Sequence, residues 1–254
     1  MWPIQINLHN MYDSIHGKLF LSGNKSLKHK NYFGMDDEEH FFKHLLSEPN
    51  NWYYRKHSVT YTFNSKNYRT KEFDEIDWKN SIVIFGGSDV MGEGLDDSDV
   101  ISNQLEKITG IPVINMGISG TSILYSFHNS LILRKNYPTP LGIVHIWTEP
   151  SRITFYSMDR IEHYGSWCAD KNNYYDLYNI DNGNPFINAA FIGIASEFLW
   201  KDTHFYQGSY FKNTADSMRC ELLPKYDKAR DLCHPGRTTA MKLAEKIANK
   251  FKLL

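Results

Sequence analysis

Residues 81–95, SIVIFGGSDVMGEGL, constrain the fold of this chain more than any other stretch. Residues 82–85 form an apolar run between a polar start and a glycine stop, which is typical of a buried parallel strand. The run ends in Gly86 and Gly87, and Ser88 follows at once. Ligands of open α/β sheets bind beyond the carboxyl ends of the strands. The stretch therefore predicts a strand that presents a serine hydroxyl at such an edge.

Strand and helix patterns alternate after this stretch. Residues 112–115 and 142–147 predict two more buried strands, ending in MGISG and TEPSR. Helices are predicted from Asp97 or Ser98 to about 108, from 121 or 122 to about 136, and over 237–251. Such alternation favours right-handed crossovers and a parallel sheet covered on both faces. We therefore predict an α/β protein of the flavodoxin-like three-layer α/β/α class, with a mainly parallel sheet.

The flanking segments are less regular. We predict that residues 1–78 form an N-terminal extension packed on an α/β domain at 79–254. A short helix is expected at 36–46, and residues 59–64 alternate like a strand that pairs with residues 68–69 as a hairpin or edge ribbon. Residues 151–230 are interpreted as an irregular aromatic insertion, with one helix at about 185–200 and no clear fourth strand.

Composition and charge exclude several classes of function. A net charge of −1 gives no reason to expect nucleic acid as a partner. Three widely spaced cysteines do not make a disulfide framework. No signal peptide and no apolar run of membrane-spanning length are visible, so a cytoplasmic location is expected. The glycine turn lacks the lysine of a phosphate loop, and no Cys or His cluster has zinc spacing, so we expect no cofactor and no metal.

Three residues have the types that serine catalysis needs. Ser88 supplies a hydroxyl, and His234 supplies a base to accept its proton. Asp231 precedes His234 by three residues, so one loop can deliver both side chains. The N–H groups of Ser88 and Gly117 are predicted oxyanion donors. A serine in a Gly-Gly-Ser turn is by itself more often ordinary turn chemistry.

The chain resembles the SGNH (GDSL-type) hydrolases in three blocks over about residues 80–252. FGGSDVMGEGL is similar to the first block, with Ser88 as nucleophile; NMGISG is similar to the second, with Gly117 as the oxyanion glycine. DLCHPG matches the Asp-x-x-His-Pro-Gly of the last block, with Asp231 and His234 in the catalytic positions. The resemblance implies ester hydrolysis of a small acyl group, such as acetyl on a sugar, or of a lipid ester.

Two positions depart from the family pattern. Gly87 stands where the first block usually has aspartate, at a variable position. The third block normally carries an asparagine whose amide completes the oxyanion hole, but this chain has Thr148 there. The hydroxyl of Thr148 is the expected substitute. Loss of one oxyanion donor typically costs about 10²–10³ in rate, so a slow reaction or binding without turnover stays open.

Other residues admit a functional and a structural reading. Asp89, Asn115 and Arg152 are predicted to contact the substrate, although Arg152 also suits an ion pair that holds its loop. Ser119 is a rival nucleophile that lacks the G-x-S-x-G pattern, and a structural role is preferred. Three further interpretations concern His145 as a core histidine, Cys233 as a thiol facing away from the site, and a sugar-stacking wall of Trp167, Tyr174, Tyr175, Tyr178 and Trp200.

The sequence thus predicts a serine esterase in which Ser88, His234 and Asp231 form a triad and a small-molecule or glycan ester is the partner. One alternative is a binding or assembly protein that keeps the fold with a weakened oxyanion hole. Another is a structural component of a larger particle, which rests only on the aromatic extensions. The acyl group and the oligomeric state are not determined by the sequence.

Overall fold

A computed structural model describes residues 28–156, 161–166 and 185–253. The strands are β1 (His29–Lys30), β2 (Tyr61–Thr62), β3 (Ile82–Gly86), β4 (Val113–Gly117), β5 (Gly142–Trp147), β6 (Ile153–Tyr156), β7 (Ile161–Tyr164), β8 (His204–Ser209) and β9 (Glu221–Leu222). The α-helices are α1 (Glu38–Ser47), α2 (Ser88–Met91), α3 (Ile101–Thr109), α4 (Ile123–Asn136), α5 (Pro185–Leu199), α6 (Lys212–Met218) and α7 (Arg237–Lys250). Short 3₁₀ turns lie at Tyr53–Arg55, Phe73–Glu75, Trp78–Asn80 and Asp97–Asp99.

The central sheet has the order β4-β3-β5-β8-β9, and every neighbouring pair is parallel. Numbered within the sheet, this is 2-1-3-4-5, the flavodoxin-like order. The predicted α/β class with a parallel sheet is confirmed. The order reverses between β3 and β5, and ligands of doubly wound sheets bind at such a switch point.

Strands β3, β4 and β5 end level with one another. Gly86 is opposite Gly117 on one side and Ile146 on the other. All residues of the three strands are buried, as the apolar runs predict. The loops after these strands therefore emerge side by side at one edge of the sheet.

Helices cover both faces of the sheet. On one face α3 and α7 pack together, and Leu105, Leu243 and Ile247 join the buried cluster beneath them. On the other face Ile132 and Leu133 of α4 pack with aromatic residues from the N-terminal part of the chain, Tyr68, Phe73 and Trp78. The sheet is thus the middle of three layers.

The predicted start of α4 and the predicted end of α3 are confirmed. Ser122 caps α4 by accepting the N–H of Tyr125, and Gly110 ends α3 with a φ of 69°. The predicted cap at Asp97 or Ser98 is wrong by one short turn. Residues 97–99 form a 3₁₀ turn capped by Asp96, and α3 begins only at Ile101.

One prediction about strands is wrong. The insertion does contain a fourth and a fifth parallel strand, β8 and β9. Residues 204–209 have the sequence HFYQGS, which contains polar residues and lacks the apolar run typical of a buried strand. Most of this strand is buried because neighbouring elements cover it. In the N-terminal part, β2 pairs with the distant β1 in antiparallel fashion, and the N–H of Asn64 donates to the Tyr68 carbonyl at 2.9 Å, which closes the turn between residues 64 and 68. Within the described ranges, no helix has the length and hydropathy to cross a membrane.

Candidate active site

Ser88 lies at the point where β3 turns into α2. It is the first residue of α2, and only 4% of its surface is exposed. The end of β3 packs so closely against α2 and β5 that position 86 requires glycine. A Cβ there would lie 2.3 Å from Val90 Cγ2 and 2.7 Å from the Ile146 carbonyl oxygen. The glycine stop predicted from the sequence thus allows the hydroxyl to stand at the edge of the sheet.

His234 and Asp231 come to this point on the loop before α7. Asp231 Oδ1 accepts the N–H groups of Cys233 and His234, both at 3.0 Å, while Oδ2 accepts from His234 Nδ1. Leu232 between them has a φ of 57°, a left-handed conformation uncommon outside glycine. One carboxylate therefore holds both the loop and the imidazole ring.

The imidazole joins this loop to the nucleophile turn. His234 Nε2 lies 2.8 Å from Ser88 Oγ, although 146 positions separate the two residues. With Nδ1–H donating to Asp231, Nε2 is left as the acceptor for the Ser88 hydroxyl. The three predicted catalytic side chains are thus in hydrogen-bonded contact. A serine hydroxyl bonded to a neutral, oriented imidazole can be deprotonated as it attacks a carbonyl.

The charges of the site favour an imidazolium. Burial opposes protonation of His234, but the hydrogen bond and charge of Asp231, together with the charges of Glu93 and Asp89, outweigh it and raise the pKa to about 9. For Asp231, burial opposes ionisation, but hydrogen bonds from His234 and Cys233 hold the pKa below its usual range. The site therefore stabilises the charged form that His234 takes after accepting a proton.

Gly117 does not offer a free N–H, and this prediction is corrected. Its N–H donates to Asn115 Oδ1 at 2.9 Å. A Cβ at Gly117 would lie 2.3 Å from the Met91 nitrogen, so the glycine serves close packing against α2. Asn115 is also corrected: it is fully buried, and its amide donates to Val90 O at 2.8 Å. Asn115 supports the turn beneath Ser88 rather than contacting substrate.

The next turn along the chain has open donors. The N–H of Ile118 donates to Gly86 O, whereas those of Ser119 and Gly120 have no acceptor among the described residues. Gly120 has a φ of 77°, which favours glycine. The N–H of Ser88, in the first turn of α2, has no intrahelical acceptor either. Within the described ranges, the turns after β3 and β4 thus carry N–H groups that no backbone carbonyl accepts.

Thr148 is buried beside the nucleophile turn. It follows β5 directly and is 3% exposed. Its Oγ1 has no hydrogen-bond partner within the described part of the chain. A Cβ on Gly87 would lie 3.7 Å from that oxygen, so the hydroxyl is close to Ser88 in space. A buried hydroxyl without a partner is uncommon, and such a group next to a nucleophile is suited to receive a ligand oxygen.

The two remaining predicted substrate residues lie at the same edge. Asp89 follows Ser88 and is near enough for its charge to act on His234. Arg152 Nη1 would lie 3.6 Å from a Cβ on Gly87. Its Nε is also 3.6 Å from Glu149 Oε2, so the loop-holding ion pair and the position near the nucleophile are both present.

Glu93 lies beside Asp231 and His234, a position that its local sequence did not predict. It is buried, and one oxygen each of Glu93 and Asp231 and one nitrogen of His234 lie within 4.8 Å of one another. These are metal-ligand types, but both His234 nitrogens are already engaged, by Asp231 and Ser88. In the sequence, Glu93 lies between Gly92 and Gly94, and this pattern of glycines is the feature that indicates a buried turn at Glu93.

Several side interpretations can now be compared with the structure. The Ser119 hydroxyl donates to Glu93, consistent with a structural role. His145 is fully buried, stacks on Trp147 at 4.2 Å, and burial lowers its pKa to about 3. Trp200 is completely buried with its N–H on Ser130, so it is not part of a sugar-stacking wall. The other residues of the predicted wall lie outside the described residues: Trp167, Tyr174, Tyr175 and Tyr178.

Comparisons with known proteins show limited likeness. No family model and no curated protein matches the chain. One similar solved structure is a carbohydrate esterase family 2 (CE2) enzyme with a carbohydrate-binding domain from Corynascus thermopiles (Myceliophthora fergusii). It has a TM-score of 0.38 and 12% identity, covering 68% of this chain and 67% of the other. Another is a GDSL-like lipase from Bacteroides ovatus, with a TM-score of 0.37 and 15% identity, covering 70% of this chain and 55% of the lipase. Because both TM-scores are below 0.5, the fold is assigned from strand order instead.

Proposed function

We propose that this protein is a serine ester hydrolase of the SGNH type, with Ser88 as nucleophile, His234 as general base and Asp231 as the residue that orients it. The observation that carries the proposal is the continuous hydrogen-bonded series from Ser88 Oγ through His234 to Asp231. It stands at the topological switch point of the sheet.

In the first half of the reaction, Ser88 Oγ attacks the ester carbonyl while its proton passes to His234 Nε2. Asp231 stabilises the resulting imidazolium through Nδ1. When the tetrahedral intermediate collapses, the C–O bond to the alcohol breaks and His234 protonates the leaving oxygen. An acyl group then remains on Ser88. Water then attacks the acyl carbonyl while its proton passes to His234. When this second intermediate collapses, the bond from the acyl carbon to Ser88 Oγ breaks, His234 returns the proton to Ser88 Oγ, and the acid leaves.

The oxyanion of both intermediates needs donors. The N–H groups of Ser88 and Gly120 are our proposed donors, in place of Gly117, whose N–H is occupied. The hydroxyl of Thr148, which has no hydrogen-bond partner in the described part of the chain, completes the set where the family pattern has an asparagine. Donors that point at developing charge in a dry site supply a large part of the catalysis.

A short acyl group fits this arrangement best. Thr148 and Arg152 both approach Gly87 closely, which leaves little space on that side of Ser88. A wider cleft of about 370 Å³, lined in part by Glu149 and Tyr210, opens nearby and suits a larger alcohol such as a sugar. The proposed substrate class is therefore a small-acyl ester, such as an acetylated carbohydrate.

The test is hydrolysis of p-nitrophenyl acetate with parallel fluorophosphonate labelling. Wild type, Ser88→Ala and His234→Ala are compared with Ser217→Ala, a control serine on the exposed side of α6. We expect the first two variants to lose on the order of 10⁴-fold or more in kcat and to lose labelling, with the control unchanged. Activity that persists in Ser88→Ala would refute the serine mechanism. An inert, unlabelled wild type would favour the binding-protein alternative.

A further inference from the structure

A second carboxylate, that of Glu93, faces the imidazole of His234. Glu93 is 1% exposed, and a carboxylate oxygen lies within 4.8 Å of a His234 nitrogen and of an Asp231 oxygen. Gly92 and Gly94 on either side have φ values of 80° and 79°, so the chain turns sharply and directs this side chain inward. The position of Glu93 is therefore a product of the same glycine turn that follows Ser88.

The partners of Glu93 are neutral. Its carboxylate accepts the backbone N–H of Met35 and the hydroxyl of Ser119. In the described parts of the chain, no lysine or arginine forms an ion pair with it. Burying an ionised carboxylate without a paired cation costs free energy of folding unless another positive charge lies nearby. The imidazolium of His234 is the charge that this location provides.

The pKa directions agree with this geometry. Burial raises the pKa of Glu93, and the charge of His234 opposes that rise. The charges that raise the pKa of His234 are those of Asp231 on its own loop, Glu93 after α2 and Asp89 on α2, and the Arg152 guanidinium lies at the same edge beside Gly87. The pKa of the Cys233 thiol, on the same loop, is raised by partial burial and by the charge of Asp231.

We propose that Glu93 is a second positioning carboxylate of the active site, which stabilises the His234 imidazolium and fixes the Ser119 turn to the N-terminal segment through Met35. The inference rests on the proposed esterase function for its catalytic consequence. The proton of Ser88 moves only to His234 and then to the leaving alcohol, while Glu93 stays ionised. Because His234 becomes charged during attack, a carboxylate this close favours the transition state over the ground state.

The charge is removed with least change of shape by Glu93→Gln. The glutamine oxygen still accepts the Met35 N–H. The matched control is Glu106→Gln, because Glu106 also accepts a backbone N–H, from Val113, at the opposite end of the sheet. The first readout is the NMR titration of the His234 ring, which does not depend on turnover. The second is the pH profile of kcat/KM for p-nitrophenyl acetate.

We expect the His234 titration in Glu93→Gln to move to lower pH by about one unit, with no shift in Glu106→Gln. The acid limb of the activity profile should move in the same direction, and kcat on the alkaline plateau should fall about tenfold. An unchanged His234 titration in Glu93→Gln would overturn the proposal. A shifted titration in a protein without esterase activity would leave the electrostatic coupling intact and refute the proposed function alone.

A wild-type measurement covers the case in which Glu93→Gln does not fold. In protein labelled with ¹³C at glutamate carboxyls, the signal of Glu93 should change with the same midpoint as the His234 ring. Glu106 serves as the internal reference and should show no such change. A Glu93 signal that is indifferent to the His234 titration would also contradict the proposal.

Discussion

Removal of the Asp36 carboxylate should destabilise the protein strongly and disturb the loop that holds Asp231 and His234. Arg230 Nε and Nη2 donate to the two oxygens of Asp36, each at 2.8 Å. The two side chains are 3% and 1% exposed, and the guanidinium packs against the rings of Tyr32 and Phe41. Arg230 directly precedes Asp231, so this pair anchors the N-terminal segment to the catalytic loop.

The magnitude follows from the burial of the pair. In Asp36→Ala the Arg230 guanidinium keeps its buried position but has no counter-charge, which typically costs about 3–5 kcal/mol. Tyr61, whose hydroxyl donates to Asp36, also loses an acceptor. For a chain of this size about 2–4 °C of Tm is lost per kcal/mol. We therefore expect a decrease in Tm of roughly 6–20 °C.

The assay is thermal unfolding, with kcat measured on the folded protein at a lower temperature. The control is Asp216→Ala, which breaks an exposed pair with Lys212 and should cost about 0.2–1 kcal/mol. The double variant Asp36→Ala/Arg230→Met removes both charges and should be more stable than Asp36→Ala alone. If Asp36→Ala lowers Tm no more than the control does, the buried pair has been misjudged. A double variant no more stable than the single one would refute the uncompensated-charge reasoning.

Three further outcomes are expected. A base must be neutral to accept a proton, and the pKa of His234 is raised to about 9. The value of kcat/KM should therefore increase about tenfold per pH unit up to that pH and then become constant. A profile that is flat from pH 6 to 9 would contradict this expectation. Thr148→Val should lower kcat about 10²–10³-fold with little change in Tm, because the hydroxyl has no partner within the described ranges; unchanged kcat would remove Thr148 from the oxyanion site. Gly117→Ala should destabilise by about 1–3 kcal/mol in urea unfolding, since the new Cβ meets the Met91 nitrogen. Gly87→Ala, with contacts of 3.6 Å, should not, and equal effects would argue against the packing role of Gly117.

Elements with a strong local pattern were predictable. The buried runs of β3, β4 and β5 are short and mostly apolar, with Asn115 and His145 as single polar residues in β4 and β5, and short apolar runs ending at glycine or a turn are typical of parallel strands. Strand β8 has no apolar run because its burial comes from neighbouring elements, and β9 is only two residues long and is not buried. Gln207 in β8, for example, is polar yet buried, with its amide oxygen on the Trp147 N–H. Because the hydrogen-bond partner of Gln207 is 60 positions away, the local sequence does not indicate that this side chain is buried.

The oxyanion residues illustrate the same limit at short range. Gly117 was chosen as a donor because it is a glycine at a strand end. The structure gives its N–H to the side chain of Asn115 two residues earlier, so its function is to pack closely against α2. Which way an amide side chain turns depends on the space and acceptors around it, and neither can be read from the spacing of residues.

The sequence by itself determined the fold class, through the burial of its strands, and the loop that holds Asp231 and His234, through a spacing of three residues. Both are local properties, set by the period of apolar residues and by turn chemistry. Only the tertiary structure decided which distant groups meet. The Glu93 carboxylate accepts the N–H of Met35, 58 positions away in the sequence. The Arg230 guanidinium donates to the Asp36 carboxylate, 194 positions away. Such contacts depend on how the strands are ordered and on which charges become buried together, and that is settled when the whole chain packs.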